Sequence, residues 1–229
     1  MKTFYSTFPR HYVAIDCIIF GFDKRRLKLL CITRSFEPGK GKWSLVGGFL
    51  KENESLDDTA ERVLYELTGL RNIYLEQIEA FSEVNRDDAG RVISVPYYAL
   101  INSSKFDEIN STGSSAQWFN LDQMPDLIFD HKDMVIKALE RLQYVCSTQP
   151  VGFELLPKKF TLPQLMALYE AIFQQKFDKR NFRKKVLSYD VIKKLEEKDM
   201  SDSRKGAFLY QFNKKKYDEL RKEGLQFIV

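Results

Sequence analysis

The 229-residue chain has only three cysteines, Cys17, Cys31 and Cys146. They are too few and too scattered for a disulfide framework or a zinc cage. Cys17 and Cys31 each interrupt nothing in an apolar run and read as buried thiols of a reducing compartment. No apolar run approaches the ~18 residues that a membrane helix needs, so none is expected. The opening Met1-Lys2-Thr3-Phe4-Tyr5 leads into no apolar signal core with a small-residue cleavage site, and a cytoplasmic location follows as the expectation. Internal repeats and low-complexity segments are lacking too.

What is there is an ordinary globular mixture, 44% apolar and 30% charged, which makes disorder and coiled coil poor readings. At about 150 residues per domain the length allows one large domain or two small ones. The net charge of +4 conceals an asymmetry. Residues 151–229 hold 18 Lys and Arg against 11 Asp and Glu, a net +7, whereas residues 1–150 hold 18 against 21, a net −3. A basic C-terminal part is a candidate for nucleic acid, with a solvated basic face as the alternative.

The first half alternates strand-like runs with turns. Residues 12–22 and 27–33 are rich in Ile, Val, Leu and aromatics and fit a hairpin. Glu37-Pro38-Gly39-Lys40-Gly41-Lys42 reads as a loop, followed by a short strand over 43–46 that ends in Gly47-Gly48. Leu56, Ala60, Val63, Leu64 and Leu67 recur at helical spacing, with Ser55 as N-cap and Gly69 as the terminating glycine. Strands are predicted over 75–84, 91–102 and 117–121, and an amphipathic helix over 131–145, broken by Ser147-Thr148-Gln149-Pro150. Beyond it, 153–156 reads as a strand. Thr161 and Gln164 form a capping box around Pro163, and Asp178 caps a further helix whose Phe182, Val186 and Leu187 point inward. Residues 192–195 and 207–212 read as strands around a polar stretch, 196–206.

Gly48, Glu54, Arg62, Leu64, Glu66, Gly69 and Leu70 follow the pattern G-x5-E-x7-R-x-L-x-E-x-x-G-L. This resembles the Nudix box, the signature of enzymes that hydrolyse nucleoside diphosphates linked to another group. That box carries R-E-x-x-E-E on its helix, whose carboxylates hold divalent metal against a pyrophosphate. Here the stretch is Arg62-Val63-Leu64-Tyr65-Glu66-Leu67, so Val63 and Leu67 replace two of the three acids. The resemblance therefore implies the fold without most of the chemistry: no enzyme, no metal, no cofactor. Glu54 and Arg62 read best as a salt bridge tying loop to helix. Residues 83–100 look like the loop and strand of ADP-ribose-type Nudix proteins.

From residue 131 the order is helix, short strand, helix, helix, strand, polar wing, strand, which is the order of a winged helix-turn-helix. Its second close-set helix begins Asp178-Lys179-Arg180-Asn181-Phe182-Arg183-Lys184-Lys185. Lys179, Arg180, Arg183 and Lys184 cannot all face the core that Phe182 defines. Arg180 and Asn181 suit base edges, and Lys158, Lys159, Arg204 and Lys205 suit phosphates. A Nudix-like domain followed by this module resembles the Nudix-related bacterial transcriptional regulators. The stretches from Phe160 to Leu165, Tyr169 to Ala171 and Asp178 to Lys185 look like their C-terminal domain.

The expected fold is thus α+β, an α/β/α Nudix-like sandwich over 1–145 and a winged helix-turn-helix over 146–229. The resemblance implies a homodimer on operator double-stranded DNA, released by a small-molecule effector in the former hydrolase cleft. Tyr5, Asp16, Trp43, Glu66, Glu83, Asn85 and Tyr98 offer the aromatic platform, acids and amide that an uncharged pentose such as L-arabinose wants. An ADP-ribose compound is the alternative effector, for which Arg34, Lys40, Lys42, Arg86 and Arg91 could supply cations. An active hydrolase, or a basic domain that binds protein instead of DNA, are the competing functional readings.

Overall fold

The structure is a computed structural model that describes residues 4–23, 25–102, 116–149, 152–201 and 205–223. The chain divides into two compact units. One gathers the described residues of 4–20, 29–99 and 116–138; the other gathers 21–28, 100–102 and 139 onward. The division falls inside a helix, ahead of the expected boundary after residue 145. That helix, α2 (His131–Thr148), outruns its predicted end at 145 and stops within the predicted break, at Thr148. Ser147 and Thr148 form its last turn, their hydroxyls donating back to the Tyr144 carbonyl at 2.7 and 3.1 Å.

The first unit is built on most of β1 (Tyr12–Asp23), β2 (Arg26–Thr33) and β6 (Val92–Asn102), on β3 (Trp43–Ser44), β4 (Val46–Phe49), β5 (Glu76–Gln77) and β7 (Ala116–Asn120), and on α1 (Leu56–Thr68) and the start of α2. The sheet order is β3-β2-β1-β6-β5, with β4 paired to β1 and β7 to β2. Strand period sorts its two faces. Cys17 Sγ reaches the Ala60 carbonyl on α1, and the Tyr97 hydroxyl donates to Asp57 on the same helix. Their neighbours Asp16 and Ser94 point the other way, toward His131 at the start of α2. One helix on each face makes the α/β/α sandwich.

Helix α1 starts and stops where its sequence dictates. Ser55 and Asp58 form a reciprocal capping box, and Gly69 closes the helix at φ +76°, where a side chain would be strained. The predicted strand over 75–84 shrinks to Glu76–Gln77 plus a bridge at Phe81. Its partner β6 carries Pro96 between those two points. The Pro96 carbonyl accepts from the Ile78 N–H, but Pro96 has no N–H to return, and the ladder breaks there.

In the second unit β8 (Phe160–Thr161), α3 (Leu162–Phe173), α4 (Lys179–Ser188), β9 (Ile192–Asp199), β10 (Ala207–Phe212) and α5 (Lys214–Lys222) follow in order, with sheet order β8-β10-β9. The expected strand over 153–156 is instead a short 3-10 turn, Phe153–Leu155. Its entry is Gly152 at φ +94°, where a Cβ would lie 3.1 Å from Leu168. Thr161 and Gln164 form their capping box, and Asp178 accepts from the Asn181 N–H at 2.8 Å. Leu187 is exposed rather than inward. Phe182 and Val186 are four apart and share the buried stripe, while Leu187 lies a further ~100° around the helix. Strand β9 outruns its predicted end at 195, because an edge strand can hold polar residues on a solvent face. Helix α5 was not legible in the sequence; it buries Tyr217 against Phe212.

Candidate functional site

Around the Nudix-like box Arg62 is the hub. Its Nε and one terminal nitrogen hold both oxygens of Glu54, at 2.6 and 2.8 Å. The other terminal nitrogen reaches Glu66 at 3.1 Å, and a further bond goes to the Phe49 carbonyl. The loop-to-helix tie read from the sequence is therefore present. Arg62, with help from the Thr59 hydroxyl, holds the Glu54 carboxyl down at about 2. A carboxylate with a depressed pKa stabilises the fold above its ordinary pKa of 4.5 and loses that contribution as pH falls toward 2. Denaturation midpoints of wild type and Glu54→Gln should accordingly differ at pH 6 and converge near pH 2. A gap that persists at low pH would show that the pair acts through packing rather than charge.

The residues present do not fit a divalent metal. Val63 is 2% exposed and packs on Gly48, where even a Cβ would approach it to 2.8 Å. Leu67 is half-buried. Glu54 and Glu66 both lie on Arg62, and the described residues include no group of three His, Cys, Asp or Glu that could hold an ion. Glu66, a candidate effector contact, is thus committed to an ion pair.

On the opposite face of the sheet lies a buried polar cluster. Asp16 is 5% exposed and accepts from Ser94 Oγ at 2.6 Å. Its other oxygen is 3.6 Å from His131 Nε2. The Leu45 N–H donates to His131 Nδ1 at 3.2 Å, which leaves the ring proton on Nε2, facing Asp16. Burial pushes the His131 pKa below its ordinary value, so the ring is neutral. Gly47 makes room for this cluster, since a Cβ there would lie 2.2 Å from Asp16 Oδ1. Asp16 thus joins β1, β6 and α2 through its contacts with Ser94 and His131. Nearby, Arg86 is buried and forks onto Asp130 with bonds of 2.9 and 2.7 Å.

The remaining effector candidates are scattered. Trp43 is half-buried with its ring edge-on to Phe119 at 4.8 Å. Tyr98 is buried and its hydroxyl donates to Glu76. Glu83 and Asn85 sit exposed on the loop before β6, and Tyr5 is 79% exposed on an N-terminal turn against Phe8. Among the cations, Arg91 caps the Ser82 and Glu83 carbonyls, while Lys40 and Lys42 are exposed. Arg34 stands apart. Its guanidinium lies 4.0 Å from the centre of Phe36 and 5.6 Å from that of Phe129, and its buried Nε has no hydrogen-bond partner among the described residues. A half-buried arginine on aromatic rings, with its Nε unpartnered among the described residues, suits an anionic ligand.

On α4, Phe182 and Val186 anchor the helix while Lys179, Arg180, Asn181, Arg183 and Lys184 are exposed. None of those four cations has an ion-pair partner among the described residues. Lys158 and Lys205 are exposed as well. Lys159 is not free: its ammonium sits 2.7 Å from both oxygens of Glu197. Arg204 lies outside the described residues.

Residues 10–139 match the NUDIX domain family and residues 152–212 match the NrtR DNA-binding winged helix domain. The ADPR responsive transcriptional repressor NtrR of Acinetobacter baylyi is 33% identical over 217 residues, which is 93% of this chain and 86% of that protein. This chain belongs to the NrtR family of Nudix-related transcriptional regulators. Shewanella oneidensis NrtR in complex with a 27mer DNA superposes with TM-score 0.74 at 30% identity, covering 90% of this chain and 95% of that one. The NUDIX domain of the same protein with ADP ribose superposes with TM-score 0.54 at 32% identity, over 62% of this chain and 99% of that one. In this chain α4 and the segment between β9 and β10 take the places of the second helix and the wing of a winged helix-turn-helix.

Proposed function

We propose that this NrtR-type chain is a repressor that binds operator DNA through α4 and the wing, and that ADP-ribose in its Nudix-like domain weakens that binding. The observation that carries the reading is the joint state of the two sites. The box has exchanged metal-holding carboxylates for Val63 and Leu67, while α4 presents four uncommitted cations. The first change removes hydrolysis and leaves a sensor; the second supplies phosphate and base contacts. The relatives' responses to ADP-ribose support this ligand over the pentose expected from the sequence. So does the fate of the sugar candidates, since Asp16 and Tyr98 spend their polar groups inside the fold and Arg34 keeps donors for an anion. The regulator acts as a homodimer in this reading, as the family resemblance implies.

Chemical denaturation with added ligand tests it. ADP-ribose at a hundred times its dissociation constant should add about 2.7 kcal/mol of stability. L-Arabinose should add nothing, and Arg34→Gln should abolish the ADP-ribose effect. Stabilisation by arabinose alone would restore the pentose reading. Turnover of ADP-ribose with magnesium at roughly 1 per second or faster would make the chain an enzyme.

A further inference from the structure

A cavity lies in the winged-helix unit. It has a volume of about 230 Å3 and opens between the start of α3, the start of α4 and strand β10. Leu162, Met166, Phe182 and Phe208 supply apolar wall, and Lys179 and Arg183 supply two cations. These cations are four apart on α4, so both lie on one face of the helix. Neither has an ion-pair partner among the described residues. The Phe208 wall is held in place by Lys194, 3.7 Å from the ring centre, and by Lys198 at 4.8 Å. The wing turn that carries it passes through Gly206 at φ +65°, where a Cβ would come within 2.5 Å of the Met200 sulfur.

Apolar walls disfavour water, and two exposed cations without ion-pair partners among the described residues at the rim favour an anionic occupant. The volume is below the ~300–1,000 Å3 typical of drug-sized sites, which excludes a dinucleotide-sized molecule such as ADP-ribose. We propose that this cavity binds a small aromatic anion, a carboxylate or sulfonate on one or two rings. The rings lie against Phe208, Phe182 and Met166, and the anionic group pairs with Lys179 and Arg183. An occupant would withdraw two cations from the surface that faces DNA, so it would oppose operator binding directly, without passing through the Nudix-like domain.

The test uses the full chain and 2-naphthoate, which is fluorescent, with 2-naphthamide as the uncharged isostere. The expected result is saturable binding of naphthoate that survives saturating ADP-ribose. Binding should fall about tenfold or more for the amide and for Arg183→Gln, which each remove one side of the charge pair. Met166→Trp, which fills the cavity, should abolish it. Naphthoate at ten times its dissociation constant should raise the apparent Kd for operator DNA about tenfold, as mutually exclusive binding requires. No saturable binding up to about 10 mM, displacement by ADP-ribose, or equal affinity for acid and amide would each overturn the proposal. The acid–amide comparison and Arg183→Gln decide the matter even if Met166→Trp does not fold. Operator binding in the absence of naphthoate is measured separately, so failure here leaves the repressor reading standing.

Discussion

Arg86→Met should cost about 3–5 kcal/mol of folding stability, the usual penalty for removing one partner of a buried ion pair. The Arg86 side chain is 3% exposed and Asp130 only 18%, and the two share a bidentate bond. Methionine fills much of the space of the arginine stem, so the lost stability reports chiefly the uncompensated Asp130 carboxylate. Asp130 also accepts, through its carbonyl, the N–H groups of Asp133 and Met134 at the first turn of α2. A disturbed Asp130 therefore reaches the helix that continues into the DNA-binding half of the chain. Adding Asp130→Asn should recover part of the loss by removing the stranded charge. Urea denaturation of the two variants and wild type measures this. A loss below about 1 kcal/mol, the range of solvent-exposed pairs, would mean that the pair is hydrated in solution.

The second large effect concerns α4. Arg180→Ala should cost about 1–3 kcal/mol in operator affinity and relax specificity at one base pair. Arg180 is exposed near the helix start, where winged helices meet base edges, and Phe182 and Val186 fix the helix beneath it. Lys205→Ala, on the wing, should weaken binding to every sequence alike and flatten the salt dependence by about one unit. Fluorescence anisotropy with a duplex selected by the wild-type protein and with a scrambled duplex, each at several salt concentrations, separates the two behaviours. Equal losses on both duplexes for Arg180→Ala would show that this residue contacts only the backbone.

Local patterns were readable in the sequence and distant partnerships were not. The caps at Ser55, Thr161 and Asp178, the Gly69 terminator and the Glu54–Arg62 tie all involve residues within eight positions of one another, and the stripe of α1 recurs every three or four. Local spacing suffices for such contacts. The exposed basic side of α4 followed for the same reason, as charges opposite an apolar stripe. The Nudix-like site was less legible because its geometry is set by long-range pairs. Asp16 meets Ser94 across 78 residues and Arg86 meets Asp130 across 44. A carboxylate in an apolar strand looks the same in sequence whether it awaits a ligand or already has a serine and a histidine. The same holds for the Tyr98 hydroxyl, which donates to Glu76 across 22 residues. The same ambiguity left Arg34, whose Nε has no partner among the described residues, as one cation among five.

The central claim is that ADP-ribose and operator DNA oppose each other on one molecule. Linkage makes that opposition mutual. The direct measurement is the ADP-ribose dissociation constant, by calorimetry, for the free protein and for protein saturated with operator duplex. A coupling of about 1–3 kcal/mol predicts ADP-ribose binding about 5- to 150-fold weaker on the DNA-bound form, with DNA affinity lowered by the same factor when ADP-ribose saturates the protein. Identical ADP-ribose affinities with and without DNA would contradict the account.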